Sequence, residues 1–576
     1  MKKQTKLVAV LSTAALLAIG ASMTSFAATG WAEEDGTWVY YDRNGDKVTD
    51  KWAKSGNNWY YLDESGEMAV DTLIEDGDNY YYVDVDGVMA ANQWVAIDNE
   101  DAGEDDEPEH YWYYFQANGK ALKNGDGDVS LKTINGKKYA FDDEGKMLYG
   151  WVKADDASRI ENTDNDAFTQ DADYYFGGED DGAMTTGWLL IDVTYDDATL
   201  DDYKNIAAAF NDDEDQSRWF YFKSNGKMVK STTPGLTKEK TINGKKYAFD
   251  EHGAMVAEWS LDAKKASTNL STTNFADYEK DGNSYQYSRA WRYFNSVEDG
   301  SRVSKGWFKV VSAENLNEGK YNDDEDAWYY ADGTGHLYAG EFRTIKGKKY
   351  AFRNDGRMIS GLKFIKEDAN GLDVIADDDD KGRNFDTEDD FVARAIDTFI
   401  PGGYSCYYFG NGEDGAMKTN KTNITIDGDS FNFYFEKSGS KKGAGLTGEK
   451  DDKYYLAGML LKAGSDEKYQ VIQKITTADN KVAYKKLADV NKFFEALGAA
   501  NYSNALNSTS DKITIGDVTK KKEDLKEAYT VNANANEYFL VNTSGSVVDK
   551  SGKCKDGDDY VFVTKKGKIV GVYVED

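Results

Sequence analysis

Lys51-Trp52, followed by Asn58-Trp59-Tyr60-Tyr61-Leu62 and then Asp63-Glu64-Ser65-Gly66-Glu67-Met68, is the stretch that decides the fold. It recurs at a fixed step: Trp31, Trp52, Leu73 and Trp94 are equally spaced, each trailed by an aromatic cluster and a turn glycine (Gly45, Gly66, Gly87). Fixed-period self-similarity is the signature of a repeat array. An aromatic run alternating about a strand axis, followed by Asp-x-x-Gly, reads as a β-hairpin, with the aromatic strand running through the Gly66 turn into Glu67–Val70. A lone hairpin is marginal in water, so each unit is expected to bury its rings against its neighbours. The fold class expected is all-β: a solenoid of stacked β-hairpin repeats with acidic loop inserts.

The unit changes along the chain. Thr133-Ile134-Asn135-Gly136-Lys137-Lys138-Tyr139-Ala140-Phe141 returns at 241–249 and, with one change, at 344–352. Each copy is followed by further aromatic strands, so 126–459 reads as three longer modules of degenerate hairpins behind an N-terminal set at 28–125. Residues 460–529 lose the repeat, with short helices expected over Asp489–Gly498 and Lys520–Tyr529. Residues 530–576 read as capping hairpins, as an open-ended array requires.

Lys2, Lys3 and Lys6, the apolar run Leu7–Ala21 and the small residues around Ala27 read as a secretory signal peptide over 1–27. The mature chain is then expected outside the cell, at the bacterial surface or wall, without membrane insertion. With a formal net charge of −34, more negative still without those lysines, nucleic acid and anionic lipid are poor partners. Only Cys406 and Cys554 occur, so no disulfide framework holds the fold, and one bridge or two thiols remain open.

Acidic inserts, Asp98–Glu109, Asp155–Asp173, Asp192–Gln216 and Glu367–Asp390, read as solvated loops on one face. They do not fit a calcium loop, since counting back from Gly87 puts Tyr82 at the first ligand position. No metal or cofactor is expected. His110, His252 and His336 stand inside repeats or inserts without a nucleophile or metal-ligand spacing, so no catalytic residue is nominated and the chain is expected not to be an enzyme.

Alternation puts Trp59 and Tyr61 on one strand face and Tyr60 on the other. If hairpins stack in order, Trp52 and Trp59 converge with Tyr82 of the next unit, a cage for a quaternary ammonium or a stacking surface for sugar rings. The alternative is that these rings are only the core between hairpins.

The spacing, the turn glycine and the methionine after it resemble the choline-binding or cell-wall-binding repeats of Gram-positive surface proteins, with Gly150-Trp151, Gly187-Trp188 and Gly306-Trp307 as further signature pairs. The resemblance implies a left-handed solenoid and choline of teichoic acids held by two Trp and one Tyr. It maps the ligand-binding cages onto Trp31, Trp38 and Tyr61, and onto Trp52, Trp59 and Tyr82. In the later modules that mapping puts Ala140, Ala248 and Ala351 at the tyrosine wall, a loss of roughly 0.5 to 2 kcal/mol of cation attraction. The Lys-Lys-Tyr hairpins also resemble the repeats of clostridial toxins and streptococcal glucan-binding domains, which recognise carbohydrate. Two alternatives therefore stand beside non-covalent attachment to wall polymers (teichoic acid choline, peptidoglycan or glucan): an extracellular glycan-binding adhesin, and a wall hydrolase with an unrecognised active site.

Overall fold

The structure, a computed structural model, describes residues 29–576 apart from 104–105, 195–215, 234–235, 263–264, 266–283, 376–384, 533–536 and 550–553. The signal peptide and most of the Asp192–Gln216 insert lie outside the described residues. The chain divides into two compact units, one of residues 1–194 with 221–228, the other of 195–220 with 229–576.

In the first four hairpins a strand bearing Trp, or Leu73 in the third, pairs with the aromatic strand after it. Gly30–Glu34 pairs with Thr37–Tyr41, Lys51–Ser55 with Asn58–Leu62, Thr72–Asp76 with Asn79–Val83, and Gln93–Asp98 with His110–Phe115. In the first three the hairpin turn is thus the two-residue loop before the aromatic strand. Ser55 faces Asn58 across Gly56-Asn57, and Glu34 faces Thr37 across Asp35-Gly36, where both loop residues have positive φ. Such primed turns match the right-handed strand twist. The expected hairpin through Asp63–Gly66 is therefore corrected: that segment joins one hairpin to the next.

The Asp-x-x-Gly segment still closes on itself. Gly66 N donates to the Asp63 carbonyl at 2.9 Å, and the Asp63 carboxylate accepts from Glu67 N at 2.9 Å. The residue two past the glycine then reaches back to the preceding hairpin, Met68 N donating to Trp38 O at 2.7 Å and Met89 N to Trp59 O at 2.8 Å. Its side chain lies under the next turn: a Cβ on Gly87, whose φ is +73°, would stand 2.8 Å from Met68 Cε. The Gly and the Met are two halves of one packing contact between successive units.

The acidic inserts are more than solvated loops. Within Asp155–Asp173 the residues Ala157, Ile160, Ala167, Phe168 and Ala172 are buried, Phe168 lying 6.4 Å from the Trp151 ring. Asp106 of the preceding insert pairs with Arg159 and accepts from Asn162 N at 2.7 Å. In the second unit the Glu367–Asp390 insert extends strand Leu362–Asp368 into Gly371–Ile375 and leads to helix Glu388–Arg394, capped by Thr387. Phe385 and Phe391 are buried with Phe364, Phe399 and Phe433 in one cluster. Burying each phenyl ring contributes about 1.5 to 3 kcal/mol, which anchors the insert despite its charge.

The second unit continues the hairpins, Lys238–Ile242 with Lys245–Phe249, Glu258–Leu261 with Trp291–Phe294, Gly306–Val311 with Asp326–Ala331, and Glu341–Ile345 with Lys348–Phe352. The expected helix over Asp489–Gly498 is present as Val490–Leu497, with the Asp489 carboxylate accepting from Lys492 N and Gly498 at its end. Lys520–Tyr529 is mostly strand, with a single 3-10 turn at Lys522–Asp524: Leu525–Val531 pairs with the last strand, Lys568–Glu575. Tyr538–Asn542 and Val561–Lys565 join the same sheet as Tyr469–Thr476, so the C-terminal hairpins are continuous with the segment before them. Cys406 and Cys554 are both buried and form no disulfide.

Candidate functional site

Strand register decides which rings meet. In the first hairpin Trp31 stands opposite Tyr40 and Glu33 opposite Trp38, so with a period of two Trp31, Trp38 and Tyr40 share one face. The next hairpin presents its opposite face, carrying Tyr60 and the buried Leu62. Trp31 accordingly packs edge-on against Tyr40, centroids 5.2 Å apart, and against Tyr60 at 5.1 Å. One step on, Trp52 meets Tyr61 of its own hairpin at 5.2 Å and Tyr81 of the next at 5.0 Å.

Two of the six residues mapped as cage walls, Tyr61 and Tyr82, do not meet the Trp of the preceding hairpin. Trp31, on the same hairpin face as Trp38, meets Tyr60 rather than Tyr61, and Trp52, on the same face as Trp59, meets Tyr81 rather than Tyr82. Tyr61 belongs to the Trp52 face. Tyr82 lies 6.1 Å from Phe115 and donates to the Asp71 carboxylate.

The same shift restores a wall to the later modules. Trp94 lies 6.5 Å from Trp112 at 82°, and 4.9 Å from Tyr139, the residue before Ala140. Trp307 lies 6.3 Å from Trp328 at 88°, and 4.8 Å from Tyr350, the residue before Ala351. Nothing of the tyrosine wall is lost there. What separates one cluster from another is access. Trp259, Trp291 and Tyr329 repeat the arrangement but are buried, with Phe308 5.8 Å from Trp259, and Trp151 is likewise sealed among Phe168, Tyr175 and Phe222. Those two are core. Trp38 and Trp59 remain 38% and 39% exposed, so the first two clusters present an indole face to solvent.

Carboxylates sit at the indole edges. Trp52 Nε1 donates to Asp76 at 3.1 Å, Trp112 Nε1 to Asp180 at 3.2 Å and Trp328 Nε1 to Glu413 at 3.0 Å. Hydrogen bonds from Trp328, then from Lys309, hold the Glu413 carboxyl below the usual range. Negative charge beside perpendicular aromatic faces suits a cation bound by the ring quadrupole. A protein cation already samples one such face, Lys54 Nζ lying 5.6 Å from the Trp59 centroid. The repeated Trp-edge carboxylates went unnominated in the sequence because each bonds across hairpins.

Elsewhere, His110 Nε2 lies 3.1 Å from Asp180 Oδ1, and His336 is buried against Asp262 and Thr334. His252 sits in the Asp250–Gly253 turn. Among the described residues no group of three or more His, Cys, Asp or Glu is placed to hold a metal ion, and no helix is long and apolar enough to cross a membrane.

Residues 28–73 and 52–94 match the choline-binding repeat, and residues 214–228 match the putative cell wall binding repeat. The chain is similar to glucosyltransferase-S of Streptococcus mutans serotype c, 28% identical over 379 residues, which is 59% of this chain and 22% of that protein. It therefore spans about a fifth of that curated relative's length. Among solved structures it is similar to the modular autolysin LytC of Streptococcus pneumoniae in complex with a synthetic peptidoglycan ligand, 17% identical with a TM-score of 0.29, covering 58% of this chain and 54% of that one. It is also similar to choline binding protein F of Streptococcus pneumoniae, 16% identical with a TM-score of 0.22, covering 75% and 98%.

Proposed function

Because the chain carries choline-binding and cell-wall-binding repeats of the kind found in Gram-positive surface proteins, we propose that it attaches non-covalently to choline-bearing wall polymers at the cell surface, without catalysis of its own. The observation that carries this reading is the edge-on contact of Trp31 with Tyr60, repeated as Trp52 with Tyr81, beside the exposed indoles of Trp38 and Trp59 on the same hairpin faces, with the Asp76 carboxylate at the Trp52 edge. The ring faces and the Asp76 carboxylate favour a quaternary ammonium, whose methyl groups need no hydrogen-bond partner. The hydrogen bond from each return segment to the hairpin before it supports a solenoid as the way these clusters are strung.

The test is retention of the full chain on a choline-substituted resin and on choline-containing walls, with release by millimolar choline. Release by soluble glucan and indifference to choline would overturn the reading. A second reading, glycan recognition by the later modules, is favoured by the similarity to a glucosyltransferase and by the perpendicular ring walls at Trp94 and Trp307. Zymography on purified walls separates both from hydrolysis, since a cleared band would place catalysis in this chain.

A further inference from the structure

His110 brings an imidazole against an aromatic cluster, and the place it takes there belongs to a lysine elsewhere in the array. Asp180 Oδ1 accepts from Trp112 Nε1 at 3.2 Å and lies 3.1 Å from His110 Nε2, with the imidazole 5.4 Å from the Trp112 ring. In the hairpin of Lys51–Ser55 and Asn58–Leu62, register sets Lys54 opposite Trp59, and its ammonium lies 5.6 Å from that ring. In the hairpin of Gly306–Val311 and Asp326–Ala331, Lys309 stands opposite Trp328 and donates at 3.1 Å to Glu413, the acid on the Trp328 indole edge. The Trp94 hairpin has Ala96 at that position, opposite Trp112. Its basic group, His110, comes instead from two residues before the Trp, where the other two hairpins carry Asn57 and Asp326.

Exchanging ammonium for imidazole changes the chemistry. A lysine keeps its charge through the neutral range, whereas imidazole changes charge between about pH 5 and pH 8. Acids surround His110: Asp180 from the turn after Tyr174–Phe176, Asp98 directly opposite on the partner strand, and Glu109 next to it in the chain. From the hairpin of Lys132–Ile134 and Lys137–Tyr139, Lys137 is tied to Asp181 at 3.0 Å, and Lys138 alternates to the other strand face. The His110 and Asp180 side chains are 28% and 71% exposed, and a pair so open to water adds little to stability. Packing therefore gives no reason for a histidine at this position.

We infer that the basic side chain tethered beside each indole sets that cluster's affinity for a cationic ligand, and that His110 makes the cluster of Trp94, Trp112 and Tyr139 release its ligand on protonation. With the imidazole neutral, the Asp180 carboxylate is left to attract a cation toward the Trp112 face. Once imidazolium forms, it neutralises Asp180 and sets a like charge beside the ring that the ligand occupies. Lys309 holds the Trp328 cluster in that weakened state at every pH in the range. Acidification therefore loosens one attachment point, while the second N-terminal cluster, whose neighbouring basic group is Lys54, keeps its affinity. Proton control of this kind rests on the choline reading holding at the Trp94 cluster, and adds to it the condition under which the ligand is held.

The full chain labelled with 5-fluorotryptophan, its Trp112 resonance assigned through Trp112→Phe, is titrated with choline at about pH 5.5 and about pH 8, with Trp38 and Trp59 as internal references. Trp112 is expected to need about tenfold more choline at the lower pH, and the two references to change little. His110→Gln keeps the high-pH affinity at both values, His110→Lys holds the low-pH affinity at both, and unchanged circular dichroism shows that the fold persists. Asp142 titrates in the same range but is untouched in these variants, so a pH dependence that survives His110→Gln overturns the inference. A Trp112 that binds choline equally at both values, or ignores it while Trp38 and Trp59 respond, overturns it too and leaves the choline reading standing. Silence at all three indoles removes both.

Discussion

Trp31 and Tyr60, in consecutive hairpins, meet edge-on with centroids 5.1 Å apart and ring planes at 72°, while Tyr61 turns to the other face against Trp52. Substituting Tyr60 with Ala is therefore expected to weaken choline binding at the first of the two proposed sites by about 1 to 2 kcal/mol, roughly tenfold in affinity. Tyr61→Ala leaves that site intact and instead disturbs the second. Fluorine resonances of Trp38 and Trp59 in the labelled chain, followed through a choline titration, separate the two. If Tyr61→Ala silences Trp38 and Tyr60→Ala does not, the register assigned to the cages is wrong.

Lys54 is a tethered competitor, its ammonium 5.6 Å from the Trp59 ring. Removing it in Lys54→Ala frees that face, and the second site is expected to gain about 0.5 to 1 kcal/mol in choline affinity. The gain shrinks as salt rises, because an exposed ammonium is already screened. Choline titrations of wild type and variant at two ionic strengths give the answer, and a loss of affinity in Lys54→Ala at low salt would show that Lys54 supports the site.

How far the sequence carries can be seen at the Tyr60-Tyr61 pair itself. The repeat, its aromatic strands and its turn glycines are legible because the array must reuse one solution to burying rings between hairpins. A Trp-Tyr-Tyr run, however, offers a tyrosine to each face, and a one-residue slip exchanges the faces entirely. Only the direction in which the next hairpin stacks selects Tyr60. The hairpin turn is hidden for a related reason, since Asp63–Gly66 has the stronger turn chemistry while Gly56-Asn57 makes the tighter connection. In the inserts, charge masked isolated anchors such as Phe168 and Phe391. Lys520–Tyr529 has helical composition, yet the register with Lys568–Glu575 overrides it. The Asp489 cap and Gly498 terminus were readable because both act locally.

Gly87 and Met68 offer a test of how units are locked together. Gly87→Ala places a Cβ in a left-handed backbone, φ +73°, and against Met68 Cε. The left-handed conformation costs an L-residue about 1 to 2 kcal/mol, and the clash adds to it unless the thioether moves. Met68→Ala in the same chain is expected to relieve the clash and leave the backbone cost, so the two substitutions combine less than additively. Hydrogen exchange should report the loss in neighbouring hairpins and spare distant ones, since contacts in an array are local. Additive effects would mean that the methionine and the glycine turn are independent.

Asp142 makes the stability of the first unit depend on pH. Its carboxylate accepts from Glu144 N at 3.0 Å and Lys146 N at 2.7 Å, but burial dominates and pushes its pKa up to about 6 from an ordinary 3.8. Between those values the folded chain holds a proton that the unfolded chain releases, so the stability contributed by this group falls as pH rises from about 4 to about 6 and stays lost above. Asp142→Asn keeps an oxygen acceptor for both amides and removes the buried charge. It is expected to stabilise the unit at pH 7 by about 1 to 3 kcal/mol and to flatten its dependence across that window. Denaturation of wild type and variant at pH 4.5 and pH 7 tests both parts. A variant less stable than wild type at pH 7 would show that the two amide hydrogen bonds need the full charge, and that their gain outweighs the cost of burying it.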